Sequence, residues 1–270
     1  MGTEGHAQGR NKIDHQGDEQ LKILVITVAG SSTRFSRSIG KDCLKCIYTE
    51  GGIEDTLLYR LLSMNRGYDR YVIVGGHRYG DLVSAIDSDF SEFKERITMV
   101  RNERYAEYGS GYSLYMGLKE AMKHNPDEIA FAEGDLALAE KDLKKILMSE
   151  NDVITYNLKP IRSDESVVFY FDSEDRPKYV YDTNHKLLRI DEPFRSIYNS
   201  GQVWKFTDMP RLNKIIDDTD EIGWKDTNLI FINNYFSVLS HDKVELIPLT
   251  RWINCNTVSD YRRSTGEKDE

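Results

Sequence analysis

An apolar run at residues 21–28 that breaks into Ala29-Gly30-Ser31-Ser32-Thr33-Arg34-Phe35 constrains this chain more than any other stretch. Residues 23–28 are aliphatic or β-branched with no turn former among them, so they read as a strand buried on both faces. The turn that follows puts small residues where backbone N–H groups can approach an anion closely. Arg34 and Lys45 add positive charge to the same loop. The combination fits a triphosphate cradle, although a strand ending in Gly-Ser-Ser-Thr also fits an ordinary turn. A dinucleotide loop fits less well, because the G-x-G-x-x-G spacing is absent and no acidic residue closes a second strand at the expected place.

Periodicity predicts strands at 22–29, 71–75, 97–101, 129–133, 152–156, 166–171, 177–182, 187–191, 202–206, 244–248 and 252–255. It predicts helices at 54–66, 79–87, 111–123, 139–148, 209–218 and 225–239. Strand and helix alternate in the first half, which implies a mostly parallel sheet, and the strand-rich middle implies an antiparallel region inserted into it. Residues 1–20 and 264–270, poor in large apolar groups, read as a disordered arm and tail around one domain at 21–263. At 270 residues, 39% hydrophobic and 30% charged, the chain can bury a sizeable core without disulfides. A net charge of −9 argues against a general nucleic-acid binder. No apolar run is long enough to span a membrane and no signal core precedes residue 21, so a cytoplasmic protein is expected. Cys43, Cys46 and Cys255 form no disulfide framework, and Cys43-Leu-Lys-Cys46 lacks the second pair a structural zinc needs.

Two further stretches carry chemistry. Ile129-Ala130-Phe131-Ala132-Glu133-Gly134-Asp135 ends an apolar run in a carboxylate, the place where open α/β sheets gather ligands, and Asp135 is a candidate for a hard cation such as Mg²⁺. Glu133 points to the same side of that strand and shapes the local field. A Gly-Asp pair after a strand is also a common turn. Near the C-terminus, Arg251-Trp252-Ile253-Asn254-Cys255-Asn256-Thr257 offers Asn256 as a carbonyl-oxygen ligand or as a turn residue.

Taken in order, these motifs resemble the nucleotidylyltransferase family, the sugar-1-phosphate and cytidylyl transferases. Their signature is a buried strand, Ala-Ala-Gly-x-Gly-x-Arg and then Pro-Lys. Ala29, Gly30, Thr33, Arg34 and Lys45 match it, whereas Ser32 stands for the second glycine and Leu44 for the proline. The resemblance implies an α/β, Rossmann-like fold with a mixed, mostly parallel sheet flanked by helices and an antiparallel insertion on the acceptor side. It implies Arg34 and Lys45 as catalytic cations, with Lys41 the competitor for the α-phosphate, and Mg²⁺ on Asp135 and Asn256. Residues 102–115, Asn-Glu-Arg-Tyr through Tyr-Ser-Leu-Tyr, resemble the base and ribose loop of bacterial phosphocholine cytidylyltransferases. With Ala29, Gly30, Ser31, Ser32 and Thr33, that resemblance gives Asn102, Tyr108, Gly109, Ser110 and Ser113 as nucleotide-binding residues. The aromatics of the same stretch also fit the apolar face of a helix over 111–123.

The residues at 182–190 look like the family's hairpin, and Ser200, Gly201 and Trp204 like its acceptor-side strand. The implied reaction is transfer of CMP from CTP to a small phosphorylated or phosphonate acceptor, phosphocholine-like, with release of pyrophosphate. Trp204, Tyr112 or Trp224 could belong to an aromatic cage for a quaternary ammonium, or to the core. A sugar-1-phosphate transferase using UTP, a metal-dependent glycosyltransferase and a non-catalytic nucleotide-binding module are the competing readings.

Overall fold

The computed structural model describes residues 20–163, 166–180 and 188–266. In chain order its elements are β1 (Lys22–Val28), α1 (Thr33–Ile39), α2 (Leu57–Met64), β2 (Arg70–Gly75), α3 (Tyr79–Asp89), β3 (Ile97–Arg101), α4 (Ser110–Met122), β4 (Glu128–Glu133), β5 (Leu136–Leu138) and α5 (Glu140–Met148). There follow β6 (Asp152–Asn157), β7 (Val168–Asp172), β8 (Pro177–Val180), β9 (Phe194–Phe206), α6 (Met209–Asp218), α7 (Glu221–Lys225), α8 (Leu229–Phe236), β10 (Val244–Leu249), β11 (Trp252–Asn254) and α9 (Val258–Gly266).

The main sheet runs β10-β6-β9-β4-β1-β2-β3. The pairs β10–β6, β4–β1, β1–β2 and β2–β3 are parallel, and β9 runs antiparallel to both β4 and β6. This is the expected mixed, mostly parallel α/β sheet, with β7 and β8 added to the other half of the long β9 as the antiparallel insertion. Side chains of β1 alternate as a strand must. Leu24, Ile26 and Val28 enter a core shared with α2, α3 and α5, while Ile23 and Val25 enter one shared with α4, α6 and α8. Because β1 and β4 are parallel neighbours, the loops that leave their C-terminal ends emerge side by side on one edge of the sheet.

Local chemistry sets several boundaries differently from the expectation. Helix α2 begins at Leu57 rather than 54, because the Thr56 hydroxyl accepts from the Tyr59 N–H as its N-cap. The expected helix at 225–239 is the shorter α8, since α7 already ends at Lys225, and the break between them leaves the Asp226 carbonyl to accept from Gly111 N–H at 3.0 Å. The expected strand at 202–206 is the end of a strand that begins at Phe194. Residues 188–191 form no strand. Helix α9 carries the ordered fold past 263 to Gly266, with Ser264 fully buried, so those tail residues are structured. The N-terminal arm at 1–19, most of the expected hairpin at 182–190 and residues 267–270 lie outside the described residues.

Candidate active site

The loops after β1 and β4 open into a cavity of about 810 Å³. Of the residues expected to bind nucleotide, Ala29, Gly30, Ser31, Ser32, Thr33, Tyr108, Gly109, Ser110 and Ser113 all line it, together with Arg34, Lys45, Asp135 and Asn256. Lys41 is exposed and does not line it, so Lys45 is the lysine that reaches the cavity.

Ser32 adopts a left-handed backbone with φ 52, the conformation that a glycine takes without strain. Its hydroxyl accepts from Lys45 N–H at 3.3 Å and so ties the two halves of the cradle loop together. Lys45 Nζ lies 2.6 Å from Asp135 Oδ2, and Arg34 Nη2 donates to Asn256 Oδ1 at 2.8 Å. Asn256 reaches this spot because β11 pairs with β5 and Cys255 N–H donates to the Asp135 carbonyl at 2.8 Å. Asp260 then accepts from the Thr257 N–H at 2.9 Å while its own N–H donates to Thr257 Oγ1 at 3.2 Å, a capping box that starts α9. Between Glu133 and Asp135 only glycine fits, since a Cβ at Gly134 would stand 2.3 Å from Val28 Cγ1.

The donor set suits a hard cation. Asp135 Oδ1 and Asn254 Oδ1 are buried without a hydrogen-bond partner, and Asn256 adds a third oxygen. Among the described residues no cluster of three or more His, Cys, Asp or Glu side chains could hold a metal. One carboxylate with amide oxygens is nonetheless enough for Mg²⁺, which keeps several waters and takes the rest of its shell from phosphates.

Four expected contacts fall elsewhere. Asn102 is buried behind the wall, donating to Ser113 Oγ at 2.9 Å and accepting from Arg104 N–H, so it positions the loop without lining the cavity. Ser200, Gly201 and Trp204 do not line it either. The Ser200 hydroxyl accepts from Gln202 N–H and the Gly201 carbonyl from Trp252 Nε1. Trp204 is fully buried, stacked on Phe131 with ring centres 5.3 Å apart, its Nε1 donating to the Tyr179 hydroxyl. A large aromatic in an alternating strand is core, and its acceptor role is withdrawn. The other cage candidates, Tyr112 and Trp224, pack on each other outside the cavity lining.

Residues not singled out from the sequence complete the wall: Val167, Gln202, Asn228 and Asn254. Glu133 lies among them. Its Oε1 accepts from Asn228 Nδ2 at 2.8 Å and its Oε2 from Gln202 Nε2 at 2.9 Å. Burial, and then the nearby Asp135 charge, push its carboxyl up to about 7. Cys43 and Cys46 are free thiols, and burial pushes both above the ordinary thiol value, Cys46 up to about 12, opposite to the lowered value that activates a thiol.

The family model for a domain of unknown function, DUF6564, matches residues 41–267. The chain belongs to that family. The matched span holds Lys45, Asp135 and Asn256 and begins after the Gly30–Arg34 turn. No curated protein matches the chain. In fold it is similar to the inositol-1-phosphate CTP transferase from T. maritima, at 17% identity and a TM-score of 0.64, covering 93% of this chain and 99% of that one. It is similar to the CTP:phosphocholine cytidylyltransferase from Streptococcus pneumoniae, at 14% identity and a TM-score of 0.60, covering 91% and 98%. A UDP-glucose pyrophosphorylase solved with UDP-glucose shares the fold at 14% identity and a TM-score of 0.63, covering 91% and 97%. At these identities the likeness concerns the fold. No helix among the described residues is long and apolar enough to cross a membrane.

Proposed function

We propose that the protein is a nucleotidylyltransferase that moves CMP from CTP to a small phosphorylated or phosphonate acceptor and releases pyrophosphate. The observation that carries this reading is the meeting of Arg34 and Lys45 with Asp135 and Asn256 in one cavity, each cation on the oxygen of one candidate metal ligand. An oxygen of the acceptor phosphate attacks the α-phosphorus of CTP. A new P–O bond forms as the bond from the α-phosphorus to its bridging oxygen breaks, and the electron pair leaves with pyrophosphate. The attacking oxygen is already ionised at neutral pH, so the step needs no general base, only in-line positioning and charge neutralisation.

The planar Arg34 fork suits the departing β- and γ-phosphates, and the mobile Lys45 ammonium suits the α-phosphoryl oxygens. Lys45 can leave Asp135 for a phosphate because both side chains are only part-buried, 19% and 20% exposed. Asp135 and Asn256 would hold Mg²⁺, which supplies charge neutralisation to the phosphates when bound. Support for CTP comes from the resemblance of residues 102–115 to the cytidylyltransferase loop. Tyr108, Gly109, Ser110 and Ser113 of that loop stand in the cavity wall, and two of the similar folds belong to enzymes named for CTP.

The test is incubation with each of the four nucleoside triphosphates, Mg²⁺ and a panel of phosphorylated acceptors, read by pyrophosphate release. Release with CTP and an acceptor is expected. Release only with UTP and a sugar 1-phosphate would replace this reading with the uridylyl one, for which the UDP-glucose pyrophosphorylase fold is the precedent.

A further inference from the structure

Three side chains of the cavity take no part in the transfer just described: Glu133 at the end of β4, Gln202 on β9 and Asn228 just before α8. Three separate elements thus bring a carboxylate and two amides into one corner. Gln202 and Asn228 are nearly fully buried, and each gives a side-chain N–H to one oxygen of Glu133. Gln202 does so from a left-handed backbone, φ 57, where the β6–β9 pairing slips between Ile154 and Tyr156. A non-glycine residue held at a bulge in that conformation costs stability, and such strain persists where the surroundings fix it for a use. Asn228 is fixed as firmly, its backbone N–H donating to Ser110 Oγ at 2.9 Å.

Each amide gives one of its two N–H groups to Glu133 and keeps its oxygen as an acceptor, so the corner gathers one carboxylate and two amide oxygens. Among the described residues no donor meets the amide oxygen of Gln202 or of Asn228, and the partners of Glu133 are neutral. Lys45 pairs directly with Asp135 and reaches Glu133 only through space. A buried carboxyl whose direct partners are all neutral lacks a counter-ion, and a cation brought to it favours its ionised form. Its place in the sheet says which substrate meets it. The cradle follows β1, Asp135 follows β4, and β9 lies on the far side of β4 from β1. The corner therefore stands on the side of β4 away from the cradle, the side to which we assign the distal end of an acceptor.

We propose that Glu133, Gln202 and Asn228 bind a primary ammonium group at the distal end of the phosphoryl acceptor, an inference that rests on the transfer reading above. A protonated primary amine brings one positive charge and three N–H donors to a carboxylate and two amide oxygens. A quaternary ammonium brings no donor and is held instead by aromatic faces. Trp204 is core, Tyr112 and Trp224 do not line the cavity, and of the aromatics that do, Phe35 is buried and Tyr105 lies by His77 after β2, on the cradle side away from β9. The ring of Tyr108, which also lines it, already has Arg104 at 5.0 Å and Lys225 at 5.7 Å from its centre. A neutral polyol supplies donors and leaves the charge unmatched.

The test is calorimetric titration of the full chain, with Mg²⁺ and a non-hydrolysable CTP analogue present, by O-phosphoethanolamine, phosphocholine and glycerol 3-phosphate. O-Phosphoethanolamine should bind at least about tenfold more tightly than either of the others, because a site built to accept N–H donors rejects ligands that lack them. In Glu133→Gln that preference should disappear while the affinity for the CTP analogue stays as in the parent. The comparison in the unaltered protein decides the matter even if the variant does not fold. Equal or tighter binding of phosphocholine or glycerol 3-phosphate overturns the ammonium site, as does binding of none of the three. Pyrophosphate release is scored separately. A binding preference without release would leave the ammonium site standing and overturn the transfer reading.

Discussion

In the cradle half of the cavity the polar groups are paired as exchangeable charges, Lys45 on Asp135 and Arg34 on Asn256, with both cations on side chains that water still reaches. In the half over β9 a single carboxylate is held by two buried amides whose backbones are fixed by a bulge and by a hydrogen bond to Ser110. The contrast separates two tasks. Flexible cations that trade an internal oxygen for a phosphate oxygen suit charge that develops during reaction. A rigid corner of one carboxylate and two amides suits recognition of a group that does not react.

The largest expected effect lies in the cradle. Lys45→Ala and Arg34→Ala should each lower turnover by at least about a hundredfold, with circular dichroism unchanged, since each removes charge at the reacting phosphates. Parent-like turnover in both would erase the difference between the halves. The next effect is on stability. Trp204→Ala, which empties a fully buried site beneath the β9 half, should cost about 3–5 kcal/mol in urea unfolding. A loss under about 1 kcal/mol would mean that this half is not the rigid one.

A smaller effect sharpens the idea of exchange. Lys45→Met should raise the affinity for Mn²⁺, titrated without nucleotide, by about fivefold, the worth of about 1 kcal/mol for a part-exposed ion pair that no longer competes for Asp135. Unchanged or weaker Mn²⁺ binding would show that Lys45 does not gate that oxygen. The smallest is a control outside the cavity. At the β7–β8 turn, burial alone would raise the Asp172 carboxyl, but the backbone N–H of Arg176 and the side chains of Lys178 and Arg176 outweigh it and hold it at about 2, below its ordinary 3.8. A carboxyl depressed on folding stabilises above its unfolded value, so this contribution is intact at neutral pH and fades as pH falls from about 4 through about 2. Urea unfolding of Asp172→Asn over that range should show a shallower acid slope than the parent, while nucleotide affinity at neutral pH stays the same.

The cradle half was legible in the sequence because its parts are local. A buried strand, a small-residue turn, Arg34 and Lys45 follow one another on the chain, and Asp135 ends its own apolar run. The parallel half of the sheet was legible for the same reason, as strands and helices alternate there with full hydrophobic periods. The β9 half was not. Gln202 reaches Glu133 only through a bulge and a left-handed φ, and Asn228 only because the chain breaks between α7 and α8. Neither event has a local signal beyond the glycine before Gln202. Trp204 was misplaced because an aromatic residue has the same identity in a core and in a ligand cage. Helices α1 and α9 were missed because their few turns are fixed by contacts distant in sequence, such as Ser38 Oγ accepting from Val258 N–H.

The most direct measurement of the central claim uses CTP labelled either on the α- or on the γ-phosphate, with Mg²⁺ and O-phosphoethanolamine, and follows the label into the acceptor product. Attack at the α-phosphorus in the cavity of Arg34, Lys45, Asp135 and Asn256 predicts that the α-label enters the product, the γ-label leaves as pyrophosphate, and both movements stop in Lys45→Ala. Transfer of the γ-label to the acceptor, or movement of the α-label undiminished in Lys45→Ala, would contradict it.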